Sequence, residues 1–227
     1  MYKIQLLDLL WIALPAILVA ILYIKIVKDK FTPIVAFIRM FVQLILIGFG
    51  LNFIFSSNSP LFTIIILLIM ILSASIISLR TLKIENKKYL NSFLAILTGG
   101  GLTLSIVIFG VINTKIWYEP RVVIPLAGMI FANSLNAISL SAERYYNSVN
   151  KNKSIAFKEA FKVSLIPIIN SFFAVGLVSL PGMMTGQILS GIDPLIAVRY
   201  QILVMLMIFN SAGISVYIYL LLESKIN

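Results

Sequence analysis

Histidine and cysteine are both absent from the 227 residues, and acidic side chains are scarce, with 8 Asp and Glu against 18 Lys and Arg. Zinc sites and most iron and copper sites lean on imidazole or thiolate, and nucleophilic triads lean on His, so zincin, dyad-protease and dithiol redox chemistries are excluded. No disulfide can form, and cysteine usage is silent about compartment. Charge of either sign is thin: 11% of residues are charged and 60% are hydrophobic, where a soluble domain carries about 25% and about 45–50%. The net charge of +10 would point to nucleic acid in a soluble protein. Here the basic residues flank apolar runs, as positive-inside membrane topology requires, and no nucleic-acid partner is expected.

What is present is a series of apolar runs, each long enough to cross about 30 Å of hydrocarbon as a helix of about 20 residues. They cover Leu6 to Val27, Ile34 to Phe55, Leu61 to Leu79, Ser92 to Ile112, Val122 to Ala142, Ser164 to Leu180 and Leu195 to Leu222. The sixth is the shortest and contains Pro167, so a short or broken segment is expected there. The fold expected is an all-α, polytopic integral membrane protein with about seven transmembrane helices. The first apolar stretch is too long for a secretory leader and has no clean cleavage site, and so reads as a helix. Alternating the loops puts thirteen basic residues on one side and four (Lys3, Lys115, Arg121 and Arg199) on the other, with Arg39 left inside the membrane. That asymmetry predicts an external N-terminus and a cytoplasmic C-terminus in the cell (inner) membrane. Trp117 and Tyr118 then fall at the outer interface.

Polar residues inside the spans are the candidates for function. Arg39 and Gln43 are four residues apart on one helix face, and a guanidinium at that depth costs a few kcal/mol on insertion scales unless it pairs or snorkels. Met129, Asn133, Asn136, Leu140 and Glu143 recur at helical spacing, putting two carboxamides and a carboxylate on one stripe; interhelical hydrogen bonding and pathway lining are both open readings. Between the last two spans, Leu180 to Pro194 packs Pro181, Gly182, Met183, Met184, Gly186, Gln187, Gly191 and Asp193 into a stretch longer than a plain hairpin needs. Pro181-Gly182 ends a helix and Asp193-Pro194 starts one, with Asp as cap. A structured outer loop over a pathway is expected, its two methionines exposed. Gly99, Gly100 and Gly101 lie in an apolar span and suit close helix approach; no Lys follows, so they form no phosphate loop.

The segment 143–163 reads as a cytoplasmic loop containing a short amphipathic helix behind Ser154 as cap, with Ile155, Ala156, Phe157, Ala160 and Phe161 apolar and Lys158 and Lys162 polar. It suits either an anionic lipid surface or a cytoplasmic partner.

The run Arg121 to Ser134, with Leu165-Ile166-Pro167, the block Gly176 to Gly186, and Asp193-Pro194 through Tyr200-Gln201, resembles the iron-export ABC permease (FetB) family, which includes plant aluminium-tolerance half-transporters. Arg39 with Gln43 fits its second-helix motif. The resemblance implies a single transmembrane permease domain over 1–227, assembled as a homodimer with a separate ATP-binding ABC subunit, exporting iron or conferring metal tolerance. It is not an enzyme in itself: no cofactor is expected on this chain, and ATP would be held by the partner. Pathway or gating roles fall on Arg39, Gln43, Asn133, Asn136, Glu143, Gly182, Met183, Met184, Gln187, Asp193 and Arg199. Members of the family usually carry a Leu-Gly-Ala-Thr-Pro-like motif before the Leu-Ile-Pro block; it is absent here, which leaves Phe157, Lys158, Glu159 and Phe161 as the reduced coupling element. An ATP-independent carrier, or a membrane resistance or immunity protein that transports nothing, are the competing expectations.

Overall fold

The computed structural model describes residues 8–56, 59–82, 86–149 and 152–226. Lys3, Lys83 and Lys151, counted above for orientation, lie outside the described residues, as do Leu6 and Leu7 at the expected start of the first span. The elements in chain order are helices α1 (Leu9–Val27), α2 (Phe31–Ser56), α3 (Pro60–Ser78), α4 (Asn86–Ser105) with a π-helical continuation (Ile106–Ile112), α5 (Pro120–Ser148), α6 (Lys153–Ala174), α7 (Gly182–Leu189) and α8 (Pro194–Ile226). They form two compact units, one containing α1 and α2 and the other α3 to α8.

Local chemistry explains the boundaries. Lys28 closes α1 in the left-handed conformation (φ 61°), and the Asp29 carboxylate accepts from the Phe31 and Thr32 amides at 3.0 and 3.2 Å, capping α2. Proline opens α3, α5 and α8, at the position where a missing amide costs nothing. At the start of α8 the expected cap is in place, with Asp193 Oδ1 accepting from Leu195 N at 2.8 Å and Ile196 N at 3.3 Å.

Among the described residues, six helices are long and apolar enough to cross a membrane: α1, α2, α3, α4 with its π continuation, α5 and α8. The chain is an all-α, multi-pass integral membrane protein. The sixth run differs from expectation. Its helix does not begin at Ser164 but at Lys153, passes through Pro167 and stops at Ala174. Pro167 removes the amide that would pair with the Val163 carbonyl, yet the helix runs on through it, and the Ser171 hydroxyl donates to the Pro167 carbonyl at 2.9 Å. The break comes later, where Val175 turns extended and Gly176 takes φ 84°. A separate amphipathic helix is likewise absent: Ser154 to Phe161 forms the first turns of α6. Asn152, and not Ser154, is the cap, accepting from Ile155 N at 3.1 Å. Residues 143–148 belong to α5, so the connection shrinks to residues 149–152.

In the second unit α4 packs against α8, α5 and α3, while α6 lies along α5 and α8. Small residues allow this. A Cβ on Gly99 would fall 2.5 Å from Ser215 Oγ and 2.6 Å from Ser215 N, and one on Gly100 would fall 2.9 Å from the Phe131 ring. Hydroxyl pairs bridge adjoining seams: Ser215 of α8 to Ser134 of α5 at 3.3 Å and Ser78 of α3 to Ser92 of α4 at 2.8 Å. Thr63 Oγ1 donates to the Tyr118 carbonyl at 2.9 Å, tying the start of α3 to the turn before α5.

Candidate functional site

Arg39 and Gln43 lie on α2, both exposed within the first unit. Neither takes part in a hydrogen bond or an ion pair among the described residues. The α5 stripe is also turned outward. Asn136, Leu140 and Glu143 are exposed, and half-buried Asn133 donates to the Met129 carbonyl of its own helix at 2.9 Å. Asn147 Nδ2 lies 3.4 Å from Glu143 Oε1. The buried face of α5 is a different one, carrying Ser134, Ala137, Ile138, Ser141 and Tyr145.

After Gly176 the turn exposes Leu177 and Val178, and Gly182 opens α7 behind Pro181. The two methionines are not exposed as expected. Met183 packs against the core, and Met184 lines an apolar cavity of about 370 Å³ together with Phe172, Gly176, Gln201 and Met205. A helix, rather than an open loop, turns them inward. Gln187 Oε1 and Gln201 Oε1 are buried without a partner, leaving two carboxamide acceptors in mostly apolar surroundings. Asp193 is occupied as the α8 cap, and Arg199 is exposed.

The expected coupling residues are drawn into the fold. Phe157 and Phe161, one turn apart on α6, meet the Tyr217 ring edge-on at 6.1 and 6.5 Å. Glu159 pairs with Arg144 across the α5–α6 junction at 2.6 Å. Lys158 and Ile155 are exposed, so the face that the first turns of α6 offer outward is basic with one aliphatic anchor.

A polar centre that sequence reading missed lies where α5 and α8 end and α4 begins. Glu223 is fully buried, and its carboxylate accepts from Asn91 Nδ2 at 2.8 Å and from the Tyr146 hydroxyl. Tyr145 and Tyr219 are also fully buried; the Tyr219 hydroxyl faces that of Tyr146, and the hydroxyls of Tyr145 and Ser141 have no partner. The Lys88 ammonium rests on the Tyr146 ring, 4.3 Å from its centre. A signal existed: Tyr219 and Glu223 are four apart on one face of α8. The apolar run ends at Leu222, one residue short of the carboxylate.

A family described as "Uncharacterised protein family (UPF0014)" matches residues 6–226. The chain is 33% identical over 201 residues to the "Probable iron export permease protein FetB" of Escherichia coli, covering 79% of this chain and 75% of that one. It is 34% identical over 195 residues to the "UPF0014 membrane protein slr1647" of Synechocystis, covering 78% and 75%. To the "Protein ALUMINUM SENSITIVE 3" of Arabidopsis thaliana it is 31% identical over 195 residues, covering 78% and 70%. No solved structure matches the chain.

Proposed function

The chain belongs to the UPF0014 family, and on that premise we propose that it is the permease subunit of a metal exporter, with iron the first cargo to test, powered by a separate ATP-binding ABC subunit. The observation that carries this reading is the 33% identity to a protein named as a probable iron export permease, sustained over 75% of that protein's length. The sequence has no Gly-x-x-x-x-Gly-Lys run, so ATP chemistry would come from the partner chain. Two copies would form the transporter in the cell membrane, each with its N-terminus outside and its C-terminus in the cytoplasm.

In this reading the outward-facing polar groups Arg39, Gln43, Asn133, Asn136 and Glu143 line the path or meet the second copy, because lipid would leave them unpaired. Gly182, Met183, Met184, Gln187, Asp193 and Arg199 form its outer gate. The ATPase docks on the exposed start of α6, through Ile155 and Lys158, with Phe157, Glu159 and Phe161 holding that turn in place. The test is efflux of radioactive iron from cells preloaded with it, comparing the chain with an empty vector, and identification of any ATPase copurifying with a tagged chain. Faster efflux with a bound ATPase supports the proposal, and unchanged efflux rejects it. One observation favours an ATP-independent carrier: Phe157 and Phe161 are spent on Tyr217. Efflux that survives without any copurifying ATPase would select that alternative.

A further inference from the structure

The oxygen cluster around Glu223 has more polar atoms than helix packing uses. Asn91 and Tyr146 already satisfy the carboxylate, and the Tyr219 hydroxyl faces that of Tyr146, yet the hydroxyls of Tyr145 and Ser141 are buried beside this knot with nothing to bond. Tyr145 follows Ser141 by one turn of α5, and Tyr219 precedes Glu223 by one turn of α8, so all four project toward the same end of the second unit. Phenylalanine would fill the space of Tyr145 without burying an unpaired hydroxyl, and such a group in a folded core calls for an explanation, an ion among them.

We propose that Glu223, Tyr146 and Tyr219, with Asn91 and Tyr145 beside them, form a binding site for a hard trivalent cation, tested here with Fe³⁺. The inference rests on the metal-export reading and gives the cargo a place on the chain. The donor chemistry selects the class. Carboxylate, phenol and carboxamide oxygens, without nitrogen or sulfur, suit hard cations and not Zn²⁺ or Cu⁺. A phenol becomes a strong ligand only to a metal acidic enough to displace its proton, which favours a trivalent ion. Charge then balances: the cation bonds to the Tyr146 and Tyr219 oxygens and to the Glu223 carboxylate, and two protons leave to solvent. Three positive charges meet two phenolates and one carboxylate, so no net charge is left in the low-dielectric interior. Tyr146 is half-buried and forms the mouth, with Lys88 on its ring. On the expected topology this end faces the cytoplasm, from which an exporter loads.

The test uses the full chain purified in detergent and titrated with ferric nitrilotriacetate, read by the visible phenolate-to-iron charge-transfer band and by bound iron per chain. The wild type should show the band with one ion bound. Tyr219→Phe removes only a hydroxyl and keeps the ring, and an unfolding temperature taken beside the titration shows that the variant is folded; its ferric affinity should fall by at least about tenfold, with a weakened band. Glu223→Gln should behave likewise, whereas Tyr217→Phe, a phenol outside the cluster, should leave the band unchanged. A purely structural knot predicts the opposite, with Tyr219→Phe binding iron as the wild type does. That result, or a folded wild type without a band, overturns the site. Iron efflux measured in parallel separates the two ideas: efflux without a band rejects the site alone, and a band that obeys these substitutions without efflux rejects export while the site stands.

Discussion

Gly99 is where a single atom decides the packing of two helices. Its absent side chain lets α4 approach α8 until a Cβ would sit 2.6 Å from the Ser215 amide, and backbone cannot move aside as a flexible side chain can. Gly99→Ala should therefore cost about 1–3 kcal/mol in thermal unfolding of the detergent-solubilised protein. Gly101→Ala, where nothing lies within 4 Å, should be neutral or slightly stabilising. Equal losses at both sites would remove close approach as the explanation. Arg39 poses a different question at the same scale. If its guanidinium pairs across the assembly, Arg39→Lys should impair efflux at normal expression, since an ammonium lacks the planar donor fork. Wild-type efflux in Arg39→Lys would leave snorkelling as the whole of its role.

The start of α6 is held against α8 by aromatic edges. Phe157 and Phe161 grip Tyr217 of α8, and the Arg144–Glu159 pair closes the opposite side of the turn. The ion pair is exposed and contributes at most about 1 kcal/mol, so the aromatic contacts dominate. Replacing both phenylalanines with alanine should lower unfolding stability by about 2–4 kcal/mol, as half-buried rings are lost with their edge contacts. Docking through the outward face predicts that Ile155→Ser with Lys158→Glu instead releases a copurified ATPase while leaving the unfolding temperature unchanged. An ATPase that stays bound to that second variant would remove α6 from the docking surface. Periodicity in the sequence shows Phe157 and Phe161 on one face, but not what that face meets, because an amphipathic stripe looks the same to a partner, a lipid surface or a neighbouring helix.

Across the whole molecule, orientation depends on whether α6 spans. Its 22 residues make a helix about 33 Å long, but Lys153, Lys158, Glu159 and Lys162 occupy its first turns, and the proposed topology requires the segment from α6 to α7 to cross once. A reporter after Ile226 should then read as cytoplasmic and a tag before Leu9 as external. Both on one side would mean that α6 does not cross. The membrane class, the approximate bounds of the apolar helices, the Asp193 cap and the usefulness of Gly99 and Gly100 were legible in the residues. Hydropathy, capping and side-chain size are local properties that survive without a fold. The sequence also determined what chemistry is excluded, since no folding creates an imidazole or a thiolate. Tertiary structure alone decided which faces are spent internally: the α5 stripe of Asn133 and Asn136 turned outward, Met183 and Met184 turned inward, and Phe157 and Phe161 closed on Tyr217. It also decided that Asn91, Tyr146 and Glu223 meet, because residues 132 positions apart in the chain come together only when α4 and α8 pack, and no spacing rule within one helix encodes that encounter.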